Sequence, residues 1–238
     1  MGRAFLDVLF PRACVGCGQA AGDDYDYLCW DCLRDLTIIQ FPFCSVCGDP
    51  VDGWVEGPFE CPACSRSRPS FVRARSAVRY VGAMQAAIRA FKYQGATWLC
   101  RDLTTCLLAC VEVQFVEVVI DTISWVPLAP DRERERSYNQ AQLLARNLAR
   151  RWQRPGRLPA MASLRRIRST PTQTHLTASQ RVANVAQSFS VEKTFQPAGK
   201  RILLVDDVMT TGATLNECAR TLKKAGAEAV YAVTVARG

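Results

Sequence analysis

Two adjacent carboxylates, Asp206 and Asp207, directly follow an apolar run, residues 202–205, that is typical of a buried parallel strand. Apolar residues recur at helical spacing from about Thr214 onward, so a helix is predicted to begin there. The connecting loop offers backbone N–H groups, hydroxyls and a glycine that permits close approach, and the start of the helix adds a partial positive charge. Its residues are Val208, Met209, Thr210, Thr211, Gly212, Ala213 and Thr214.

A loop of this kind suits a terminal phosphate group. The neighbouring carboxylates can accept hydrogen bonds from sugar hydroxyls or hold Mg²⁺ through water. A strand that ends in Asp-Asp also occurs in ATPases and receiver domains, so this feature alone does not decide the class. The phosphate loop of an ATPase is missing, because Gly199-Lys200 is followed by Arg201 rather than by Ser or Thr. We therefore expect a cradle for a phosphate and a ribose.

A second chemistry is indicated by the cysteines, since eight of the twelve form four Cys-x-x-Cys pairs before residue 65. Each pair lets two sulfurs reach one ion, and tetrahedral Zn²⁺ takes four ligands, so two pairs complete one closed structural site. Residues 1–10 make a poor signal peptide, which favours a reducing compartment and metal rather than disulfides. Two structural zinc ions are expected on Cys14, Cys17, Cys29, Cys32, Cys44, Cys47, Cys61 and Cys64.

The sequential grouping of these pairs is favoured, with the first two pairs on one ion and the last two on the other, because each site then closes a short loop. A cross-braced grouping stays open. The other four cysteines lack pair spacing and lie on or near apolar helix faces, which indicates core positions. They are Cys100, Cys106, Cys110 and Cys218.

Charge divides the chain into two unlike parts. Residues 1–65 carry three arginines against ten Asp and Glu, whereas residues 132–181 carry twelve arginines against two Glu. The acidic part would repel phosphate, so we expect it to dock a protein partner or the basic part of the chain itself. The basic part holds Arg132, Arg134, Arg136, Arg146, Arg150, Arg151, Arg154, Arg157, Arg165, Arg166, Arg168 and Arg181.

These arginines are too many for one small phosphate ligand, and two interpretations remain. They could form a solvated helix face with Trp152 in the core. Alternatively, they could bind single-stranded nucleic acid in a salt-dependent way, with Tyr138 or Trp152 stacking on bases.

The order of elements predicts an α/β fold with a mostly parallel sheet, because strands and helices alternate beyond a polar linker at residues 65–70. We divide the chain into residues 1–68, a double zinc ribbon, and residues 69–238. Residues 166–186 are polar and without period, so they are the best candidate for a mobile functional loop. Strands are expected at residues 76–80, 118–126, 160–164, 202–205 and 229–235, and helices at residues 84–91, 99–110, 138–152 and 214–224. No apolar run is long enough to span a membrane, and the protein is expected in the cytoplasm.

The predicted strand, the Asp-Asp pair that follows it and the run Thr-Thr-Gly-Ala-Thr form one segment. This segment resembles the signature with which type I phosphoribosyltransferases bind 5-phosphoribosyl-1-pyrophosphate (PRPP). The zinc ribbons and several short motifs resemble the ComF (GntX-like) family of competence proteins over nearly the whole chain. These motifs are Phe91-Lys92-Tyr93-Gln94-Gly95, Arg136-Ser-Tyr-Asn-Gln140, Thr172-Gln173, the Arg181/Asn184 pair and Val235-Ala236-Arg237. One departure is Ser137, where the family usually has Gly.

The resemblance implies a role for each part of the site. Asp206 and Asp207 would contact the ribose hydroxyls, and Thr210 to Thr214 would hold the 5-phosphate. Val126, Pro127 and Leu128 would form the pyrophosphate loop, with Mg²⁺ accompanying PRPP. A closing loop at residues 168–184 contains no Lys, so Arg168 or Arg181 would supply its catalytic cation.

For function, the resemblance implies a PRPP-binding protein that assists the uptake or processing of single-stranded transforming DNA in natural competence. The acidic zinc ribbons would then meet a protein of the DNA-uptake machinery. Two alternatives remain: an active phosphoribosyltransferase of nucleotide metabolism, and a non-catalytic PRPP sensor or DNA-handling module. The acceptor of a transfer reaction is not indicated by the sequence.

Overall fold

A computed structural model describes residues 12–21, 27–154, 156, 158–168 and 187–238. The helices in these ranges are α1 (Trp30–Arg34), α2 (Pro62–Arg66), α3 (Gly82–Tyr93), α4 (Cys100–Gln114), α5 (Pro130–Arg136), α6 (Gln140–Arg151) and α7 (Ala213–Lys224). The strands are β1 (Arg73–Arg79), β2 (Thr122–Trp125), β3 (Leu164–Arg166), β4 (Phe189–Val191), β5 (Arg201–Met209) and β6 (Ala229–Arg237). None of the helices in the described ranges has both the length and the apolar character needed to cross a membrane.

Four strands form one parallel sheet in the order β1-β6-β5-β2. Residues 202–205 of β5 are fully buried, which explains their unbroken apolar run. Trp125 at the end of β2 pairs with Val205. The pyrophosphate loop predicted after β2 and the acid pair on β5 therefore lie at the same edge of the sheet.

Each face of the sheet carries its own hydrophobic core. One core combines α3, α4 and α6 with Leu203 and Val205 of β5 and with the first cysteine cluster. The other combines α7, the β3–β4 hairpin and the second cysteine cluster with Ile202 and Leu204. Because neighbouring residues of a strand point to opposite faces, β5 takes part in both cores. This layering confirms the predicted α/β fold class.

The cysteine-rich part of the chain covers the edge strand β1. Ile38 forms an antiparallel bridge with Val78, and Arg79 donates its backbone N–H to the carbonyl of Thr37 at 2.8 Å. Further along β1, the N–H of Ala74 donates to the carbonyl of Val46 at 2.7 Å. Covering an edge in this way removes unpaired backbone groups from solvent. The two parts thus share backbone hydrogen bonds, and the boundary near residue 68 stays a prediction.

The structure departs from the expected elements where they are short. Strand β5 continues through the acid pair to Met209, because β6 pairs with it that far. The strand expected at residues 160–164 is wrong; it is reduced to one bridge, Ala160 to Ile123, and β3 begins only at Leu164. Helix α5 and strand β4 were not expected, since seven and three residues are too few to show a period.

Candidate functional site

A polar cavity of about 260 Å³ lies at the edge of the sheet where β2 and β5 end. Carboxyl ends of parallel strands are the usual binding position in open α/β sheets. The residues around it come from α3, the β2–α5 loop, α5, the start of α6, β3 and the β5–α7 loop. They include Lys92, Tyr93, Val126, Pro127, Leu128, Arg132, Arg136, Asn139, Gln140, Arg166, Asp206, Asp207 and Val208, Met209, Thr210, Thr211, Gly212, Ala213 and Thr214.

The loop after β5 has the geometry of a phosphate cradle. Helix α7 begins at Ala213, and Gly212 before it is left-handed with φ of 76°. A Cβ on Gly212 would stand 2.6 Å from Cε of Met209, so glycine suits both the conformation and the close packing. The first turn of α7 contains no acidic residue. Its N–H groups therefore present an uncompensated partial positive charge to the cavity.

The acid pair lies at the base of this loop. Asp207 forms an ion pair with Lys92 of α3, with 2.7 Å between Oδ1 and Nζ. Asp206 accepts a hydrogen bond of 2.9 Å from the N–H of Asp207. Burial raises the pKa of Asp206 to about 7, and the charge of Asp207 adds to this, while Lys92 and Arg166 oppose it. Burial alone would lower the pKa of Lys92, but the charges of Asp207 and Asp206 raise it instead, so the ammonium stays protonated.

The opposite wall begins with the loop after β2. Asn139 donates from Nδ2 to the carbonyl of Val126 at 3.1 Å, and its Oδ1 accepts from the N–H of Gln142 at 3.2 Å as the N-cap of α6. One side chain thus fixes the predicted pyrophosphate loop to the start of a helix. The predicted residues Val126, Pro127 and Leu128 do line the cavity.

Three arginines add positive charge to this wall. Arg132 and Arg136 of α5 and Arg166 of β3 line the cavity. The guanidinium of Arg136 lies 4.8 Å from the ring centre of Tyr93 and donates from Nη1 to Oε1 of Gln140 at 3.1 Å. Among the described residues, Arg136 Nε and Gln140 Nε2 are buried donors without a partner beside the cavity.

Other arginines of the basic region bind the chain itself. Arg151 donates to the carbonyl of Arg101 at 3.0 Å, and Arg154 donates to the carbonyls of residues 115, 116 and 118. Arg154 also stacks at 4.5 Å on Trp152, which is only 6% exposed and therefore has no free face for a base. Arg134 and Arg165 are exposed. Arg134 donates to the carbonyl of Pro130 on its own helix, and Arg165 donates to the hydroxyl of Ser190 on the neighbouring strand β4.

The remaining described arginines of the basic region are exposed. Arg146 and Arg150 lie on the outer face of α6, and Arg168 is exposed, with its carbonyl accepting from Arg166. Arg157 and Arg181, with most of the predicted closing loop, lie outside the described residues. Among the described residues, the arginines of the basic region therefore fall into three groups: those that line the cavity, those that bind the chain itself and those that are exposed.

The cysteines form two clusters, and both confirm the sequential grouping. Cys14, Cys17, Cys29 and Cys32 make one cluster, and Cys44, Cys47, Cys61 and Cys64 make the other, with sulfurs of each cluster within 4.8 Å of one another. Distances of 3.6 Å between the sulfurs of Cys17 and Cys29, and 3.7 Å between those of Cys47 and Cys61, match the roughly 3.8 Å edge of a Zn–S tetrahedron. Each cluster fits one structural zinc ion.

Lys92, Tyr93 and Gln140 are site residues that the predicted set omitted. All three lie in the short motifs on which the family resemblance rests, and that position was the available signal. Of the four remaining cysteines, only Cys218 is fully inside the core, whereas Cys100, Cys106 and Cys110 are half-buried and pack against it. Cys218 is fully buried, and burial raises the pKa of Cys106 to about 11 and that of Cys110 to about 12.

Fold and site together define a phosphoribosyltransferase domain joined to a double zinc ribbon. The phosphoribosyl transferase domain family matches residues 138–238, and the double zinc ribbon domain family matches residues 5–65. The chain is 31% identical over 238 residues to Competence protein F of Haemophilus influenzae, which covers 96% of this chain and 98% of the relative. The chain therefore belongs to the Competence protein F (ComF) family.

Other relatives agree with this assignment. DNA utilization protein YhgH of Escherichia coli is 29% identical over 223 residues, covering 85% of this chain and 93% of the relative. Competence protein ComFC of Bacillus subtilis is 28% identical over 220 residues, covering 88% of this chain and 84% of the relative. The competence proteins and the DNA utilization protein all match this chain over most of their length.

Proposed function

We propose that the cavity at the edge of the sheet binds PRPP, and that the protein uses this site while assisting the handling of single-stranded DNA in natural competence. The observation that carries the PRPP proposal is the arrangement around one cavity. A helix N-terminal loop for a phosphate, an acid pair for sugar hydroxyls and three arginines for a second anionic group face one another. A ligand with only one phosphate group would not need all three of these features.

Each part of PRPP has a counterpart in the cavity. The 5-phosphate would accept from the loop N–H groups and hydroxyls of Thr210 to Thr214. The ribose hydroxyls would donate to Asp206 and Asp207. The pyrophosphate would lie against residues 126–128, with Arg132, Arg136 and Arg166 as charge-assisted donors.

The carboxylate oxygens of the acid pair fit a divalent cation held through water, which is how Mg²⁺ is commonly bound. When Mg²⁺ accompanies PRPP, it neutralises charge on the pyrophosphate. One oxygen of Asp207 already accepts from Lys92, so the pair has fewer free ligand atoms than two independent carboxylates.

Calorimetric titration of PRPP into the zinc-loaded chain, with Mg²⁺ present, tests the binding proposal. D206N and D207N should each weaken binding by at least about tenfold, because each replaces a carboxyl oxygen that would accept from a ribose hydroxyl by part of an amide. D35N, on the exposed end of α1, is the matched control and should bind as the unaltered chain does. Absence of PRPP binding by the unaltered chain would refute the proposal.

Whether PRPP is consumed decides between the two alternatives. An active transferase would release pyrophosphate when an acceptor attacks C1 of the ribose, with Arg168 or Arg181 as the candidate cations that stabilise the leaving group. A PRPP sensor would bind without release. Pyrophosphate measured after incubation with nucleobases, glutamine or single-stranded DNA separates the two.

The DNA role is supported by the relatives named as competence and DNA utilization proteins. Within the described basic region, Arg146 and Arg150 are the exposed arginines on the outer face of α6 that could contact a phosphate backbone. Of the candidate DNA set, Arg132, Arg136 and Arg166 are better assigned to the PRPP site, and Arg151 and Arg154 to the fold.

We assign the zinc ribbons, residues 1–68, a second role as the docking surface for a protein of the DNA-uptake machinery. Their acidic surface favours a basic partner, because complementary charge steers association. The cytoplasm is the proposed compartment, since eight thiolate ligands persist where thiols are kept reduced. Pull-down of competence proteins with residues 1–68 altered at exposed acids, for example Asp31 and Asp35, would test the docking surface.

A further inference from the structure

Lys92 contacts the acid pair from outside the β5–α7 segment. It lies on the last turn of α3, where the helix dipole favours a cation. Its ammonium is 2.7 Å from Asp207, with the two side chains 19% and 10% exposed. This is a shielded ion pair that borders the cavity, unlike the exposed pairs of the protein surface.

The position of Lys92 is fixed by its neighbours. Phe91 before it is fully buried in the core, and the carbonyl of Phe91 accepts a hydrogen bond from the hydroxyl of Tyr138. Tyr138 belongs to the segment that also carries Asn139 and Gln140, so the end of α3 is tied to the pyrophosphate wall. Lys92 is therefore held between the two walls of the site rather than free to swing into solvent.

The charge of Lys92 matters because PRPP is a polyanion and the ribose position carries two carboxylates. Without a cation, two adjacent buried carboxylates repel each other and the incoming donor. A bound divalent cation would relieve this repulsion. Lys92 supplies a permanent positive charge at the same place, and its bond to Asp207 uses only one of its three N–H donors.

We propose that Lys92 is the built-in counter-ion of the Asp206–Asp207 pair, and that it lets this site bind PRPP with only a weak requirement for Mg²⁺. The inference rests on the proposed function and deepens it. Lys92 acts in part through Asp207, so it is a positioning residue whose signature is the metal dependence of binding.

The test compares PRPP affinity with and without Mg²⁺. Calorimetry uses the full zinc-loaded chain, sodium PRPP and a buffer freed of divalent ions on a resin, because a chelator in solution would also remove zinc. For the unaltered chain, omission of Mg²⁺ should weaken binding by less than about tenfold. K92M replaces Lys92 by an unbranched side chain of similar size that has no charge. For K92M, omission of Mg²⁺ should weaken binding by about a hundredfold or more, and addition of Mg²⁺ should restore most of the lost affinity.

Two matched variants complete the design. K92R keeps the charge and should retain the weak Mg²⁺ requirement. K224M removes an exposed lysine at the far end of α7 and should behave as the unaltered chain. Zinc content measured on every variant confirms that the ribbons remain loaded.

The outcomes separate the inference from the proposal beneath it. If the unaltered chain binds PRPP only when Mg²⁺ is present, the counter-ion inference is wrong while PRPP binding stands. If K92M shows the same ratio of affinities as the unaltered chain, the inference is also wrong. If nothing binds PRPP under either condition, both fail. Should K92M not fold, the unaltered chain in Mg²⁺-free buffer still decides the question.

Discussion

Arg237, at the end of β6, forms an ion pair with Asp49 of the second zinc ribbon, with 2.9 Å between Nη2 and Oδ1. Its Nη1 also donates to the carbonyl of Cys47 at 2.9 Å. On its other side, Arg237 pairs with Met209 along the sheet, and the N–H of Gly238 donates to the carbonyl of Met209 at 3.0 Å. One residue therefore connects the second cysteine cluster to the strand end from which the phosphate loop begins.

Replacing Arg237 by Met should destabilise the protein by about 1–3 kcal/mol, because the carbonyl of Cys47 loses its buried donor. The side chain of Arg237 is 8% exposed, whereas that of Asp49 is 48% exposed and can be hydrated once it is unpaired. Urea denaturation measures the change. R34M is the control: Arg34 makes ion pairs with its side chain 65% exposed, so its removal should cost no more than about 0.5 kcal/mol. Equal effects of the two substitutions would contradict the assignment.

The two zinc sites should differ in their effect on PRPP binding. A cavity between the second cluster and the phosphate loop is lined by Cys47, Cys61 and Cys64 together with Thr210 to Ala213. We expect C61S/C64S to lose one zinc ion per chain and to weaken PRPP binding by at least about tenfold, because the support beneath the loop becomes disordered. C14S/C17S should lose one zinc ion with a smaller effect on PRPP. Zinc content and PRPP affinity are measured for both variants, the affinity by calorimetry. Equal losses of PRPP affinity would contradict the idea that the second cluster supports the phosphate loop more than the first does.

The spacing of the Cys-x-x-Cys pairs predicts the zinc sites correctly because the geometry of such a site is local along the chain. The acid pair and the loop after it are also close together along the chain, and in the structure they line one cavity. Lys92 is different, since it meets Asp207 only because α3 ends beside β5 in the folded sheet. The same holds for Arg132 and Arg136. Their sequence shows a basic stretch, but it does not show that α5, which ends at the left-handed residue Ser137 with φ of 64°, lies beside the cavity.

The ion pair between Asp121 and Arg201 should make stability depend on pH. Asp121 precedes β2 and Arg201 begins β5, so the pair aligns the two strands that carry the walls of the site. Asp121 accepts from the backbone N–H of Arg201 at 2.7 Å and from its guanidinium at 3.0 and 2.9 Å, and these bonds lower the pKa of Asp121. A lowered pKa in the folded state means that the stabilisation is present above the ordinary Asp pKa of about 4 and is lost as pH falls through the lowered value.

D121N should therefore be less stable than the unaltered chain by about 1–2 kcal/mol at pH 7, and the difference should shrink toward zero in acid. Urea denaturation of both chains at each pH measures it, and release of zinc in acid affects both alike. R201Q should show the same dependence of stability on pH. D121N/R201Q should lower the free energy of unfolding by less than the sum of the two single changes. A difference that persists unchanged in acid would assign the loss to packing rather than to charge.

The basic region should divide into arginines that bind DNA and arginines that hold the fold. R146Q/R150Q removes two exposed charges from α6 and should lower the affinity for single-stranded DNA. The slope of log affinity against log salt should become shallower by about 1.4, at roughly 0.7 for each phosphate that is no longer neutralised. R151Q/R154Q should instead lower the free energy of unfolding, because these side chains donate to carbonyls of α4 and its C-terminal end. Unchanged DNA affinity in R146Q/R150Q would refute the proposed surface.

Gly212 offers a direct test of the phosphate cradle, because a matched glycine exists elsewhere in the chain. G212A and G199A both place a side chain on a left-handed residue, with φ of 76° and 68°, so each should cost about 1–2 kcal/mol of stability. At Gly212 the new Cβ meets Cε of Met209 at 2.6 Å and borders the proposed phosphate position, whereas at Gly199 it meets nothing within 4 Å. We therefore expect G212A to weaken PRPP binding by about tenfold or more while G199A binds normally, as measured by calorimetry after both are confirmed folded. Equal affinities of the two variants would show that the loop after β5 does not hold the phosphate.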